Sequence, residues 1–300
     1  MASSRNNVPV IKPNLNDTQR LTPRDRILLA WLAEHDVLST EHIDLALFGS
    51  RRFTQRRLTV LHDIGAVARI SSPGDGTPGS SSFRYILGSL GLYVHPEAAG
   101  RLLDSRHTRP PKGMTDRLLR LAFNPRLNHL LGVNGFFAAL HGHTRQHPSD
   151  GHLARWWSEQ RATAAFTAYP SAAIRPDGHG VWSSDDRHTG FFLEHDTGSE
   201  NLGRILDKLP AYERLARTGL RYPVLLHLHS TRREDNLLAL LAEKHPALVV
   251  ATAVHGCDPA EAVWALPGRE ERLRLADLPC DHGPATALNP ARFHAPDDDR

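Results

Sequence analysis

The stretch RPDGHGVWSSDDRHTGFFLEHDTGSENLGRILDKLPAYERL runs from Arg175 to Leu215. It sets an Asp before a polar turn, closes an apolar run on Glu194-His195-Asp196, and continues into an amphipathic helix. Metal-dependent phosphodiester hydrolysis uses side chains of this kind. Carboxylates from adjacent strands hold one or two divalent ions, and the metal activates water and stabilises the charge that builds on the phosphate. Residues two apart in a strand share a face. The pattern therefore predicts Glu194 and Asp196 pointing together and His195 away, with Asp177 at the start of the neighbouring strand. Oxygen donors of this type suit Mg²⁺ or Mn²⁺. The plain reading of the same residues is a strand end carrying solvated acids, with Pro176-Asp177-Gly178 as an ordinary turn. Spacing alone leaves open a working metal site, the remnant of one, and a polar surface.

A second group is cationic. SRRFTQRRLTVLHDIGAV predicts a helix in which Phe53, Leu58 and Leu61 alternate with Arg51, Arg52, Arg56 and Arg57. A helix that reads duplex DNA exposes cations beside the major groove, for phosphate contacts or bidentate guanine contacts, while its other face packs. An isolated helix of this composition reads more readily as a solvated arginine surface. The elements around it favour DNA. Thr22 and Pro23 are the cap and first residue of a helix with apolar positions Ile27, Leu28, Trp31 and Leu32. Ser39 or Thr40 caps a second helix that Gly49 stops. After the arginine helix come two strand-like runs around a Gly/Pro/Ser-rich turn. Three short helices followed by a β-hairpin is the order of a winged helix-turn-helix. Arg84, on the return strand of the wing, is a further phosphate candidate.

These elements sit in a chain of 300 residues with 40% hydrophobic residues and a formal net charge of +3. The length suits two domains, and the weak basic excess permits nucleic-acid binding without requiring it. No apolar run reaches membrane-spanning length, so no membrane association is expected. The first 20 residues lack the apolar core of a signal peptide and read as a disordered arm. The two cysteines, Cys257 and Cys280, fit neither a metal spacing nor a disulfide framework, and a reducing cytoplasm is the expectation.

The predicted organisation is an arm over 1–20, a winged helix over 21–105, a helical connector over 106–155, an α/β domain over 156–282 and a loose tail over 283–300. HPEAAGRLLDS reads as a helix packed on the wing. The connector reads as long helix interrupted at Pro125. Beyond Trp156, ATAAFTAYPSAAIRPDG suggests one strand and the start of another. TGFFLEHD, YPVLLHLHS and ALVVATAVH read as strands, and SENLGRILDKLPAYERLAR and RREDNLLALLAEKH as helices.

Other chemistry-bearing residues carry less. HGH at 141–143 and HLH at 227–229 suggest metal ligands, but His143 has no evident partner, and His227 and His229 read more readily as core or strand-end histidines. Trp156 and Trp157 read as packing between helix and sheet, with base stacking as the alternative. No Gly-Lys-Ser phosphate loop or dinucleotide fingerprint occurs. Tyr93, Tyr169 and Tyr212 lack the histidine cluster that a tyrosine relaxase uses.

Asp177 followed by Glu194-x-Asp196, in a helix–strand–strand–strand–helix–strand setting, resembles the PD-(D/E)XK nuclease superfamily. The resemblance implies a restriction-endonuclease-like α/β domain in which Asp177 and Glu194 bind Mg²⁺ or Mn²⁺. Asp196 stands where that family places a lysine. Lys208, on the following helix, is then the candidate replacement, Asp196 a third ligand, and Glu159 the additional acid that some members supply from a preceding helix. The order of the N-terminal helices, LNHLLGVNGFFAAL, RPDG, FFLEHDTGSE, KLPAY and VWALPG also resembles the actinobacterial replication-relaxation family, over about residues 20 to 280. That likeness implies a cytoplasmic protein of a plasmid or mobile element that binds double-stranded DNA in replication or transfer. It is either a metal-dependent nickase or endonuclease, or a non-catalytic regulator or accessory module that recruits a relaxase or replication initiator. The sequence does not specify an oligomeric state.

Overall fold

The computed structural model describes residues 14–71, 83–100, 109, 111–167, 169, 173–185, 187–198 and 201–282. The chain divides into two units, 1–135 and 136–300. Among the described residues no helix is long and apolar enough to cross a membrane.

In the first unit, α1 spans Pro23–His35. Thr22 accepts from the Asp25 backbone N–H while the Asp25 carboxylate accepts from the Thr22 N–H, and Pro23 has no N–H, so two of the three orphan donors of the helix start are satisfied. A two-residue strand, β1 (Leu38–Ser39), leads into α2 (Thr40–Ile43), capped by Ser39 and continued as a π-turn to Phe48. Gly49 ends that turn at φ 67°, a left-handed position where a side chain is strained. Next come α3 (Arg51–Asp63), β2 (Val67–Ser71), β3 (Phe83–Leu87) and α4 (Ser89–Val94). The sheet is antiparallel in the order β1-β3-β2. The turn expected between β2 and β3 lies outside the described residues, as do the first 13 residues and the tail from 283.

Two expectations need correction here. The predicted arm is ordered at its end, because Leu15–Arg20 form a 3₁₀ turn capped by Asn14. The predicted helix after the wing is a single 3₁₀ turn, Pro96–Ala98, in its described part. Two helices then follow, α5 (Met114–Ala122) and α6 (Leu127–Gln146), with the break at the expected Pro125. Leu118, Leu121 and Leu127 pack with Val37, Ala68 and Ile86 in one core. The Asn134 side chain donates to the carbonyls of His35 and Val37 at 3.1 and 2.7 Å, which closes the end of α1.

The second unit is built on a five-stranded sheet. The strands are β4 (His152–Ser158), β5 (Gly178–Ser184), β6 (Arg187–His195), β7 (Val224–Leu228) and β8 (Val250–Val254), in that spatial order. β4, β5 and β6 are antiparallel; β6, β7 and β8 are parallel. Parallel neighbours need crossovers, and these are α8 (Leu202–Ala216) and α9 (Thr231–Lys244). The reading of ATAAFTAYP as a strand is overturned. Glu159–Phe166 is a helix, α7, whose N-cap Ser158 accepts from the Arg161 N–H, and it buries Ala162 and Phe166 four residues apart. β4 also starts four residues before the predicted domain boundary at 156.

One sheet face is covered by α8 and α9. Ile205, Leu206, Leu209, Tyr212, Leu215, Leu237 and Leu241 pack on Phe192, Val224, Leu226 and Val250. Each such aliphatic side chain contributes roughly 1.5–3 kcal/mol on burial. The other face is aromatic: Phe136, Phe137, Phe191, Trp156 and Trp264 meet there. Trp156 stacks on Phe137, and Trp157 lies under the Arg155 guanidinium at 4.0 Å, so both packing partners are protein groups.

Candidate functional site

The arginine helix α3 divides its cations. Arg52 and Arg56, one turn apart, are exposed. Arg51 is exposed as well and pairs with Glu41 at 3.5 Å. Arg57 is half-buried and turned toward α1. Its Nε donates to the fully buried Asp25 at 2.9 Å, a second guanidinium nitrogen bonds the other Asp25 oxygen, and the same group reaches the Arg20 carbonyl at 3.0 Å. Burial alone raises the Asp25 pKa, but the hydrogen bonds from Arg57 and Thr22, with the Arg57 charge, hold it below the usual carboxylate range. Phe53, expected among the packed positions, is 52% exposed and touches Phe48 instead. Thr54 takes the inward position and donates to Asp44 at 2.7 Å. Arg84 lies on β3, half-buried and paired in register with Ile70 and Ser39.

In the second unit the ends of β5 and β6 bring acids together. Asp177 precedes β5, and its carboxylate accepts the His195 backbone N–H at 2.8 Å. Glu194 is 5% exposed and points toward α8, where Tyr212 donates to one oxygen at 2.6 Å and Lys208 pairs with the other. Burial, and then the neighbouring Asp177 charge, push the Glu194 pKa up to about 7 against the pull of Lys208 and Tyr212. The Tyr212 hydroxyl is raised well above its ordinary value by burial and by Glu194.

Asp196 departs from the predicted three-acid cluster. It is held by Arg233 of α9, with one bond at 2.9 Å, and by His229 at 3.5 Å. The two acids do follow the alternation of the strand, but one is taken by α8 and the other by α9. Glu159 opens α7 and pairs with Arg175 at 3.2 Å.

On the opposite face, His195 points away from Glu194 as its spacing predicts, His227 is the histidine read as a core or strand-end residue, and His255 carries no signal in the sequence. His195, His227 and His255 converge there, with ligand atoms within 4.8 Å of one another. The His195 and His227 Nδ1 atoms lie 3.3 Å apart, and the His195 and His255 rings are stacked 4.4 Å apart. Burial, then His255 and His195, push the His227 pKa down to about 2, so its imidazole is neutral. His143 does have a partner, Asp258 at 2.8 Å. Asp150, near its other nitrogen, is taken by Arg274. Cys280 bonds the Gly190 carbonyl, and burial raises its thiol to about 12, which disfavours the thiolate.

A family model described as replication-relaxation matches residues 29–225, more than half of the chain. No curated protein and no solved structure matches.

Proposed function

Since the chain belongs to the replication-relaxation family, we propose that it acts on double-stranded DNA in the replication or transfer of a plasmid or other mobile element, as a cytoplasmic, metal-dependent nicking endonuclease. The first unit is read as a winged helix-turn-helix in which Arg52 and Arg56 contact phosphates or base edges beside the exposed Phe53. Apolar contact with a thymine methyl is the chemistry such a ring offers. Arg51 and Arg84 add phosphate contacts, while Arg57 holds the fold. The second unit is read as a PD-(D/E)XK-like domain. Its three antiparallel strands, crossover helix and parallel strand follow the order of that superfamily.

The observation that carries the catalytic reading is the pair Asp177 and Glu194. Two carboxylates at neighbouring strand ends raise each other's cost of ionisation, and a cation relieves it. The donors are oxygens, which fits Mg²⁺ or Mn²⁺. When bound, such an ion supplies an activated water and charge neutralisation at the phosphate. The chain's own groups do the rest. Tyr212 fixes the Glu194 carboxylate, the Asp177 side chain locks the β6 end through the His195 N–H, and the Lys208 ammonium, 41% exposed, offers charge to a phosphate oxygen.

The test is purified protein with Mn²⁺ and supercoiled plasmid bearing its own origin region. Nicking by the wild-type chain, lost in Glu194→Ala and Asp177→Ala, supports the reading. Nicking that persists in both variants is a contaminant and overturns it. One observation favours a second reading. Both Glu194 oxygens already have protein donors, a closed network that suits an inactive domain retained for binding. A regulator or accessory module that recruits a relaxase or replication initiator then gives a footprint on the origin region without a nick.

A further inference from the structure

We propose that His195, His227 and His255 form a binding site for one Zn²⁺ ion, on the face of the sheet opposite Glu194. The proposal stands apart from the nuclease reading and uses different residues.

The site arises from register. His195 pairs with His227 across the parallel β6–β7 ladder. His255 follows β8, where its backbone N–H donates to the Leu228 carbonyl at 2.8 Å. His195 and His227 therefore stand level, and His255, two residues past Ala253, the register partner of His227, brings its ring back to 4.4 Å from each of theirs. Alternation sends all three away from α8 and α9, and the His227 ring meets Phe136 at 5.2 Å.

One edge of a coordination sphere is already set between His195 and His227, while the His255 ring, stacked parallel on His195 at 4.4 Å, must turn out of that stack to point its lone pair at the same ion. A zinc–nitrogen bond is about 2.0–2.1 Å, which gives a tetrahedral edge of roughly 3.3–3.4 Å. The His195 and His227 Nδ1 atoms are 3.3 Å apart. In that contact one ring donates an Nδ1 proton to the other. Ligation by both atoms requires only that this proton move to Nε2 of its own ring. The His255 Nε2 lies 3.0 Å from the His227 carbonyl and can donate to it, which leaves the His255 Nδ1 lone pair for the metal. A ligand imidazole whose second nitrogen donates to a carbonyl is the usual outer-shell arrangement.

Three nitrogen donors select a borderline ion such as Zn²⁺ over Mg²⁺ or Ca²⁺. A fourth tetrahedral position remains for water or an anion. His255 is the half-buried member and marks the solvent side. An ion here ties together the ends of β6, β7 and β8, including the residue between Glu194 and Asp196.

The experiment uses the full chain, stripped with chelator and titrated with Zn²⁺ or Co²⁺ in a calorimeter and by visible absorption. The expected result is one equivalent per chain, with the intense visible bands of tetrahedral Co²⁺. His255→Ala, the half-buried position, should lower affinity at least tenfold and abolish those bands. His195→Gln is the second variant, with circular dichroism to establish that each is folded. Glu194→Gln should keep both the stoichiometry and the spectrum, so failure of the nuclease reading does not touch this one. Substoichiometric binding, a weak octahedral-type spectrum, or full binding by folded His255→Ala and His195→Gln overturns the site.

Discussion

Arg57→Ala separates a structural arginine from a DNA-contacting one. Asp25 has no exposed surface, and two Arg57 nitrogens bond its two oxygens. Truncation leaves that carboxylate buried without its cation, a change that costs about 3–5 kcal/mol. The Thr22 backbone and hydroxyl still donate to Asp25, so the lower end applies, about 3 kcal/mol. For a unit of this size that is roughly a 10 °C fall in Tm. The double variant Asp25→Asn with Arg57→Ala should lose less than Arg57→Ala alone, because no buried charge is orphaned. The pair also sets an acid limit. The folded Asp25 pKa lies below its ordinary value of 3.8, so its contribution is complete above that pH and is lost as pH falls through the folded value. The assay is thermal and urea unfolding of the full chain and the variants, beside DNA binding measured well below Tm. If Arg57→Ala stays within about 0.5 kcal/mol of wild type while DNA affinity drops as in Arg52→Ala, the assignment of Arg57 to the fold is wrong.

Arg52→Ala combined with Arg56→Ala should leave Tm unchanged. It should also flatten the plot of log affinity against log salt by about 2, from two lost phosphate contacts; an unaltered slope in filter binding or anisotropy speaks against α3 as the docking helix. Glu194 has a folded pKa raised from 4.5 to about 7, so the folded state holds the extra proton between those values. In chelator-treated protein, stability should fall as pH rises through that window, and Glu194→Gln should remove the dependence; a flat wild-type profile from denaturant melts refutes it. Gly180→Ala would place a Cβ 2.2 Å from the buried Phe191 ring, so a loss of about 1–3 kcal/mol is expected, and a neutral effect on Tm would mean that the ring moves freely.

Local signals carried far in this sequence. The Thr22 cap with Pro23, the stop at Gly49 and the apolar spacing of α8 and α9 all correspond to the elements found. The runs at Phe191, Val224 and Val250 are adjacent strands of one sheet. α7 misleads because its Ala/Thr alternation imitates a strand, while its helical evidence is the Ser158 cap and the Ala162–Phe166 spacing. The candidate site was legible only in part. Which acid meets which cation depends on helices 14 to 37 residues away: Lys208 for Glu194, Arg233 for Asp196. Arg57 looks like its neighbours in sequence, and only the packing of α3 on α1 turns it inward. The three histidines are 32 and 28 residues apart and fit no short motif; parallel pairing sets His195 beside His227, and the turn after β8 brings the His255 ring back to them.

The sheet has an outer boundary at β8, and the chain seals it. Thr252 and Ala265 exchange both backbone hydrogen bonds at 2.9 Å, and Trp264 does the same with Leu273. The segment after β8 thus occupies donors and acceptors that would otherwise template another chain. It lies beyond residue 225, where the family match stops. A protein shortened to the matched region would be cut after the second residue of β7, lose α9, β8 and this seal together, and leave β6 without most of its parallel neighbour. Such a fragment would pair with its own copies, and insolubility would then say nothing about the chemistry of the site.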